Sequence, residues 1–357
     1  MTGHAVDDAE PEIGPTGQGK RATLEDVAQL AGVSVTTVSR ALNGRGRIGA
    51  ETRRHVQAVA RGLNFTPNPL AQGLLAGKTG TVGLITNDLE GRFSLPVLMG
   101  VEDALASGSA SVFLCDSRGD PAREQMHLRA LLSRRVDGLI VVADNARVRR
   151  SLGRDLPVPV VYAHGESDDP ADMSVTVDNV QAGRIGIEFL LARGRRRIAY
   201  IGGDIALKGA AERAGGARSA LAAAGLAFCG EPLFGPWNES WGRQATDIVL
   251  NRGVLPDAVL CGSDHIARGV LDVLHDRGKA IPGDVAVLGH DNLKILAADS
   301  RPTLSSIDMR LQDLGRRAAE LLLDAMKGSI AAGVHRLPCA VVERQSTGAR
   351  SGEPPGR

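Results

Sequence analysis

Along Thr23–Gly44, TLEDVAQLAGVSVTTVSRALNG, apolar residues recur at helical spacing in two short blocks separated by a glycine. Leu24, Val27, Ala28 and Leu30 predict the buried face of a first helix, which Thr23 caps together with Asp26 three residues on, an acidic variant of the capping box. Gly32 stands where that helix must stop and the chain must turn sharply, a position that favours φ > 0. From Ser34 a second helix places Val38 and Ala41-Leu42 on one side and Val35, Thr36, Ser39 and Arg40 on the other. A third helix is predicted over Glu51–Leu63. Two short helices joined by a glycine-containing turn fit the helix-turn-helix motif, whose second helix enters the major groove of DNA, although an ordinary helical hairpin has the same pattern.

From Thr81 the rhythm changes. Short apolar runs, TVGLIT, SVFLCD, DGLIVV, PVPVVYA, RRIAYIGG, DAVLCG, DVAVLGH and LPCAVVE, alternate with helical patterns. Buried parallel strands linked by crossover helices give that alternation, so the body is expected to be α/β and doubly wound. Its length of about 260 residues exceeds what one sheet usually needs, which implies two similar lobes.

Composition sharpens the division. A net charge of +1 over 357 residues conceals −4 in residues 1–19, +6 in residues 20–78 and −1 in the remainder. A basic segment of about sixty residues on a near-neutral body confines phosphate contact to one end. Residues 1–19 are acidic, rich in Gly and Pro and without an apolar core, and are expected to be a disordered tail rather than a signal peptide. No run approaches the roughly eighteen apolar residues of a membrane span, so no membrane partner is expected. Cys115, Cys229, Cys261 and Cys339 are scattered and are expected to be buried free thiols in a reducing cytoplasm.

Catalytic signatures are absent. Gly44-Arg45-Gly46-Arg47-Ile48-Gly49 satisfies GxGxxG, but a recognition helix rather than a strand precedes it. No P-loop, CxxC, HExxH or GxSxG occurs, and Asp264-His265 lacks further ligands at metal spacing. No catalytic residue, metal or cofactor is therefore expected.

The recognition helix VSVTTVSRALN, the connector LNFTPN, the segment NPLAQGLLAGKT and the later LGHDN and LGRRAAELLL stretches, in this order from about residue 22 to 345, resemble the lactose/galactose repressor (LacI-type) family. The resemblance implies an all-α helix-turn-helix DNA-binding head and an α/β body of the two-lobed periplasmic-binding-protein type I architecture, with doubly wound parallel sheets. The corresponding division is residues 20–66 for the head, 67–79 for a hinge helix and linker, 80–346 for the effector-binding and dimerisation body, and 347–357 for a second disordered tail. Crossovers between lobes are expected near 175–178, 305–307 and 337–338.

Arg40 is the first candidate base reader, because a guanidinium donates bidentately to guanine O6 and N7. By resemblance Val35 and Thr36 choose the operator sequence: Val touches a thymine methyl, and Thr does that or donates one bond. Ser34, Thr37 and Asn43 are expected at phosphates, with helix capping as the alternative or additional role of Ser34 and Thr37; Ser39 shares the exposed face. Asn68 to Ala76, with Asn68, Ala71 and Leu74 as its DNA contacts, resembles a hinge helix that forms only on the operator, Leu74 of each subunit wedging into a central base step. Gly73 biases that switch toward coil.

For the cleft, the resemblance points to Phe93, Arg213, Trp237 and Asp291. Ser94 replaces the second aromatic of a family pair, and Asn292 replaces a usual second Asp. His164 stands where many members carry Asp and is as readily a core histidine as a contact. Trp237 offers an indole face to a pyranose, whereas Trp241 is expected in the core. Aromatic, Arg and Asp together suggest a saccharide, with a purine or phosphorylated sugar as alternatives. The expected protein is thus a cytoplasmic repressor that binds a palindromic double-stranded operator as a homodimer and is released by an inducer. A corepressor-activated regulator and a solute sensor without operator function are the other readings.

Overall fold

The computed structural model describes residues 22–42, 47–65, 79–87, 89, 92–106, 110–143, 148–253 and 255–348. They fall into two compact units, Met1–Thr79 and Gly80–Arg357. Asn43, Asn68, Ala71, Gly73 and Leu74, and residues 44–46 of the GxGxxG stretch, lie outside the described residues.

Among the described residues of the first unit three helices, Leu24–Ala31, Val35–Leu42 and Ala50–Gly62, enclose a small core of Val27, Ala28, Ala31, Val38, Ala41, Val56 and Ala60. The capping box is present: Asp26 N–H donates to Thr23 Oγ1 at 3.2 Å and Thr23 N–H donates to Asp26 Oδ2 at 2.8 Å. Gly32 ends the first helix at φ 66°, the left-handed conformation its position requires. Leu30 corrects the expected apolar face, because it is 63% exposed and Ala31 is buried in its place. At about 100° per residue, positions 24, 27, 28 and 31 share an arc, and position 30 lies roughly 110° from its centre.

The second unit has two lobes. The first lobe's sheet runs Gly333–Leu337, Met173–Val177, Val160–Ala163, Gly138–Val142, Thr81–Thr86, Ser111–Asp116, with all neighbours parallel. The second lobe's sheet runs Ala340–Val342, Ser305–Asp308, Ala286–His290, Ala258–Cys261, Ile198–Gly202, Leu233–Phe234, and only Ala340–Val342 is antiparallel to its neighbour. The central strands are buried end to end, as in Gly138–Val142 and Ala286–His290. Each fully buried Val, Ile or Leu contributes about 1.5–3 kcal/mol, so these runs supply most of the folding drive.

The chain leaves the first lobe after Val177, returns between Asp308 and Leu311, and leaves again between Leu337 and Ala340. Residues 305–307, an expected crossover, instead belong to a strand of the second sheet, and the crossing follows them. Thr347, expected in the tail, is fully buried, and its Oγ1 lies 2.7 Å from Ser305 Oγ. Cys261 and Cys339 are buried as expected, whereas Cys115 and Cys229 are only half-buried; all four are free.

Three helix pairs cross at glycines on both partners. A Cβ on Gly100 would lie 1.9 Å from Gln312 O and one on Gly315 2.0 Å from Val97 O, which seats Ser94–Ala106 on Leu311–Ala325. Gly183 and Gly216 do the same for Asn179–Ala192 and Lys208–Ala223, and Gly242 and Gly269 for Glu239–Leu250 and Asp264–Asp276. These approaches fix where helix N-termini stand at the strand ends.

Candidate functional site

On the second helix of the head, Val38 and Ala41 are buried, while Ser34, Val35, Thr36 and Arg40 are exposed and Thr37 and Ser39 half-buried. The helix therefore turns the expected set outward. Ser34 does cap: its Oγ accepts from Thr37 N–H at 3.2 Å and lies 2.8 Å from Thr37 Oγ1. Arg40 sits exposed one turn after Thr36, so this face offers an apolar edge, a hydroxyl and a guanidinium within two turns.

The body's candidate site lies at the C-terminal strand ends, where open α/β sheets bind ligands. Asn87 follows the strand Thr81–Thr86, Asn179 follows Met173–Val177, and His290-Asp291 close Ala286–His290. In the first lobe the Phe93 and His164 rings have centroids 4.6 Å apart, and the Arg92 guanidinium lies 5.2 Å from the Phe93 centroid. In the second lobe the Arg213 guanidinium lies 5.3 Å from the Trp237 ring, and its Nη1 donates to Asn179 Oδ1 at 2.6 Å. Arg92 Nη1 reaches across to Asp291 Oδ2 at 3.8 Å, joining the two groups.

His164, Asp291 and Asn292 have φ values of 68°, 105° and 54°, conformations that L side chains rarely adopt and that must be held by their surroundings. His164 Nδ1 is 3.1 Å from Ala143 O, so the ring is anchored in the core while it also faces Phe93. Asn292 braces a crossover: Nδ2 donates to Asp308 Oδ2 at 3.1 Å, and Oδ1 accepts from Arg344 Nη2 at 2.7 Å. Trp241 is structural, its Nε1 donating to Gly202 O at 2.9 Å.

Several polar atoms here are buried without a hydrogen-bond partner: Asn87 Oδ1, Arg213 Nε, Trp237 Nε1, His290 Nε2 and Asp291 Oδ2. Orphaned buried groups are uncommon, and these five stand around one pair of sheet ends, where they are free to bond a polar ligand. The charges are tuned as well. Burial and the nearby Asp291 push Asp264 up to about 8, although Ser306 Oγ donates to it at 2.6 Å and Leu293 N–H at 2.8 Å. Burial followed by the Arg213 charge lowers His290, while burial and then Arg92 lower His265. Burial alone would raise Asp291, but the His290 hydrogen bond and the two arginines outweigh it and keep the carboxylate ionised.

A second link spans the lobes. Glu166 accepts from Lys208 Nζ at 2.5 Å and from Arg336 Nη1 at 2.8 Å. Sequence reasoning missed Asn87, Arg92, Glu166, Asn179 and His290. The available signal was position: Asn87, Asn179 and His290 stand at or just past strand ends, whereas Glu166 carries no local mark. Among the described residues, no group of three or more His, Cys, Asp and Glu could hold a metal, and no helix is long and apolar enough to cross a membrane.

Residues 23–68 match the model of bacterial regulatory proteins of the lacI family, and residues 187–347 that of a periplasmic binding protein-like domain. Catabolite control protein A of Priestia megaterium is 31% identical, the match covering 91% of this chain and 99% of that protein. The HTH-type transcriptional repressor PurR of Actinobacillus pleuropneumoniae is 30% identical over 86% of this chain and 91% of its own length. Among solved structures, the Lac repressor dimer bound to operator and an anti-inducer aligns with a TM-score of 0.75 at 27% identity, covering 92% of this chain and 100% of that one. A complex of the transcriptional regulator CelR with cellobiose aligns at 0.61 and 30% identity, covering 91% and 100%.

Proposed function

Because the chain belongs to the LacI family of bacterial transcriptional regulators, we propose that it is a repressor that holds a palindromic operator as a homodimer and releases it when a saccharide enters the interlobe cleft. The observation that carries the effector half is the Arg213–Trp237 pair, an indole face beside a guanidinium whose Nε is buried and unpartnered. A pyranose packs against the edge of the indole, whose faces meet Arg213 and Gly203, and gives a hydroxyl acceptor to the guanidinium. The solved complex of the relative CelR with cellobiose supports the same ligand class.

On the DNA side, Arg40 reads guanine, Val35 and Thr36 select neighbouring bases, and Ser34 and Thr37 bind phosphate. Ser39, Asn43, Asn68, Ala71 and Leu74 complete the contact set, with Leu74 as the minor-groove wedge. Dimerisation is supported by apolar side chains left in water: Leu95 and Met99, one turn apart on Ser94–Ala106, Phe113 on the edge strand, and Ile295, which is 80% exposed. The relatives are regulators rather than enzymes, and this chain is proposed to act without catalysis, in the cytoplasm where its DNA lies.

Release follows from linkage. The effector's different affinity for the two lobe orientations is the only free energy available to move the heads apart, so a tenfold preference contributes about 1.4 kcal/mol. The test is fluorescence anisotropy at controlled salt with the promoter upstream of the protein's own gene, repeated with mono- and oligosaccharides. Specific binding released by one of them is the expected result. Binding that is weak and insensitive to sequence rejects the repressor reading, and strengthening by a ligand reverses the sign of the switch.

A further inference from the structure

The cleft holds more positive charge than a neutral sugar needs. Arg213 meets only the uncharged Asn179 side-chain amide and the Trp237 face, and none of its described neighbours is a carboxylate at ion-pair distance. Arg92 rests over Phe93 and has no hydrogen bond among the described residues; its nearest carboxylate oxygen, Asp291 Oδ2, is 3.8 Å away. Among the described residues Asp291 is the one carboxylate at ion-pair distance from either arginine, and it already engages His290 through Oδ1 at 3.0 Å. Asp264, held up to about 8, is neutral near pH 7, and the depressed His265 and His290 are neutral too. Among the described residues, two guanidinium groups thus share one carboxylate at ion-pair distance. An unneutralised charge taken out of water is costly, and closing the lobes over a neutral ligand does just that to Arg92, whose side chain is already only 24% exposed.

We propose that the effector is anionic, a saccharide carrying a carboxylate or a phosphate, and that Arg92 receives the negative group while the sugar ring packs beside Trp237. This rests on the saccharide reading above and narrows it. The planar fork of Arg92 is preset by its seat on Phe93, and a carboxylate or phosphate accepts two parallel N–H bonds from such a fork. Arg92 thereby becomes the residue that separates charged sugars from neutral ones, a role that hydroxyl-binding groups such as Asp291 and Asn87 cannot fill.

The minimal anion is the probe. The full-length chain is melted in inorganic phosphate, in acetate and in chloride at matched ionic strength, with tryptophan fluorescence as a second readout. Phosphate or acetate at ten times its dissociation constant is expected to raise the midpoint by about 3 °C over chloride. The gain is expected to vanish in Arg92→Gln and to survive in Arg277→Gln, a partly exposed arginine that caps the C-terminal end of Asp264–Asp276, away from the strand ends that form the site. A larger effect of phosphate assigns a sugar phosphate, and a larger effect of acetate a sugar acid. No anion effect in the parent chain, or an effect undiminished in Arg92→Gln, overturns the proposal. Operator titration on the same preparations separates the two readings: loss of specific DNA binding in the parent chain rejects the repressor and leaves the anion result standing.

Discussion

Gly215 and Gly216 are neighbours on the helix Lys208–Ala223, yet alanine is predicted to act in opposite directions at the two positions. A Cβ on Gly215 meets nothing within 4 Å, whereas one on Gly216 would lie 2.0 Å from Val180 O. Real Cβ contacts essentially never fall below 3.0 Å, so the helix must withdraw from Asn179–Ala192 by about 1 Å. The obstacle is a helical backbone carbonyl, which has no rotamer to yield, and the reciprocal contact of Gly183 with Arg213 O opens with it. Overpacking of this kind costs about 1–3 kcal/mol, here toward the upper end, and the gain in helix propensity returns about 0.5–1 kcal/mol. The net loss is about 2 kcal/mol, or a midpoint lowered by roughly 4–8 °C in a domain of this size. Gly215→Ala keeps only the propensity gain and raises the midpoint by roughly 1–3 °C. Because Arg213 rides on the same helix, Gly216→Ala is also expected to weaken effector response while operator binding without effector persists. Thermal melts of the two variants, followed by operator release assays, check both statements. If the two substitutions shift the midpoint alike, the close helix crossing is not what positions Arg213.

Arg40→Ala is expected to cost about 1–3 kcal/mol at one operator base pair and to relax its sequence preference, which anisotropy with base-substituted operators measures. Trp237→Ala should leave operator affinity intact and abolish release by the effector; a variant that still responds removes Trp237 from the site. Asp264 is raised to about 8 from an ordinary value of 3.8 by burial and by Asp291, so folding takes up a proton between these values. Stability therefore declines as pH rises from about 4 to about 8 and levels off above, and Asp264→Asn should flatten that slope in denaturant titrations. Glu166 has the opposite sign: burial raises it, but hydrogen bonds from Lys208 and Arg336 outweigh burial and hold it below its usual 4.5. Its contribution is present above that value and lost as pH falls through the lower folded one, and Glu166→Gln should weaken effector affinity severalfold by loosening the cross-lobe link, as isothermal titration would register.

What was legible in the sequence and what was hidden follow from how far apart the interacting residues lie along the chain. The head is local: Thr23 caps with Asp26, Ser34 with Thr37, and one helical period separates Val38 and Ala41 from Arg40, so spacing alone exposes the reading face. Leu30 escaped because hydrophobicity says which residues favour burial and not where the arc is centred. The central strands announce themselves as apolar runs, but Ser305–Asp308 does not. It is buried with its hydroxyls paired internally, Ser305 Oγ donating to Arg344 O and Ser306 Oγ to Asp264, so satisfied polarity replaced the apolar signal. Arg195 was concealed in the same way inside a basic run: it is fully buried and donates to the carbonyls of Asp257, Pro282 and Gly348. The cleft is the extreme case. The chain crosses between lobes three times, so Arg92 meets Asp291 and Glu166 meets Lys208 only after both sheets are complete. A charge balance of that kind has no period and no motif. Family resemblance supplied Phe93, Arg213, Trp237 and Asp291, but the place of Arg92 between Phe93 and Asp291 required the distances.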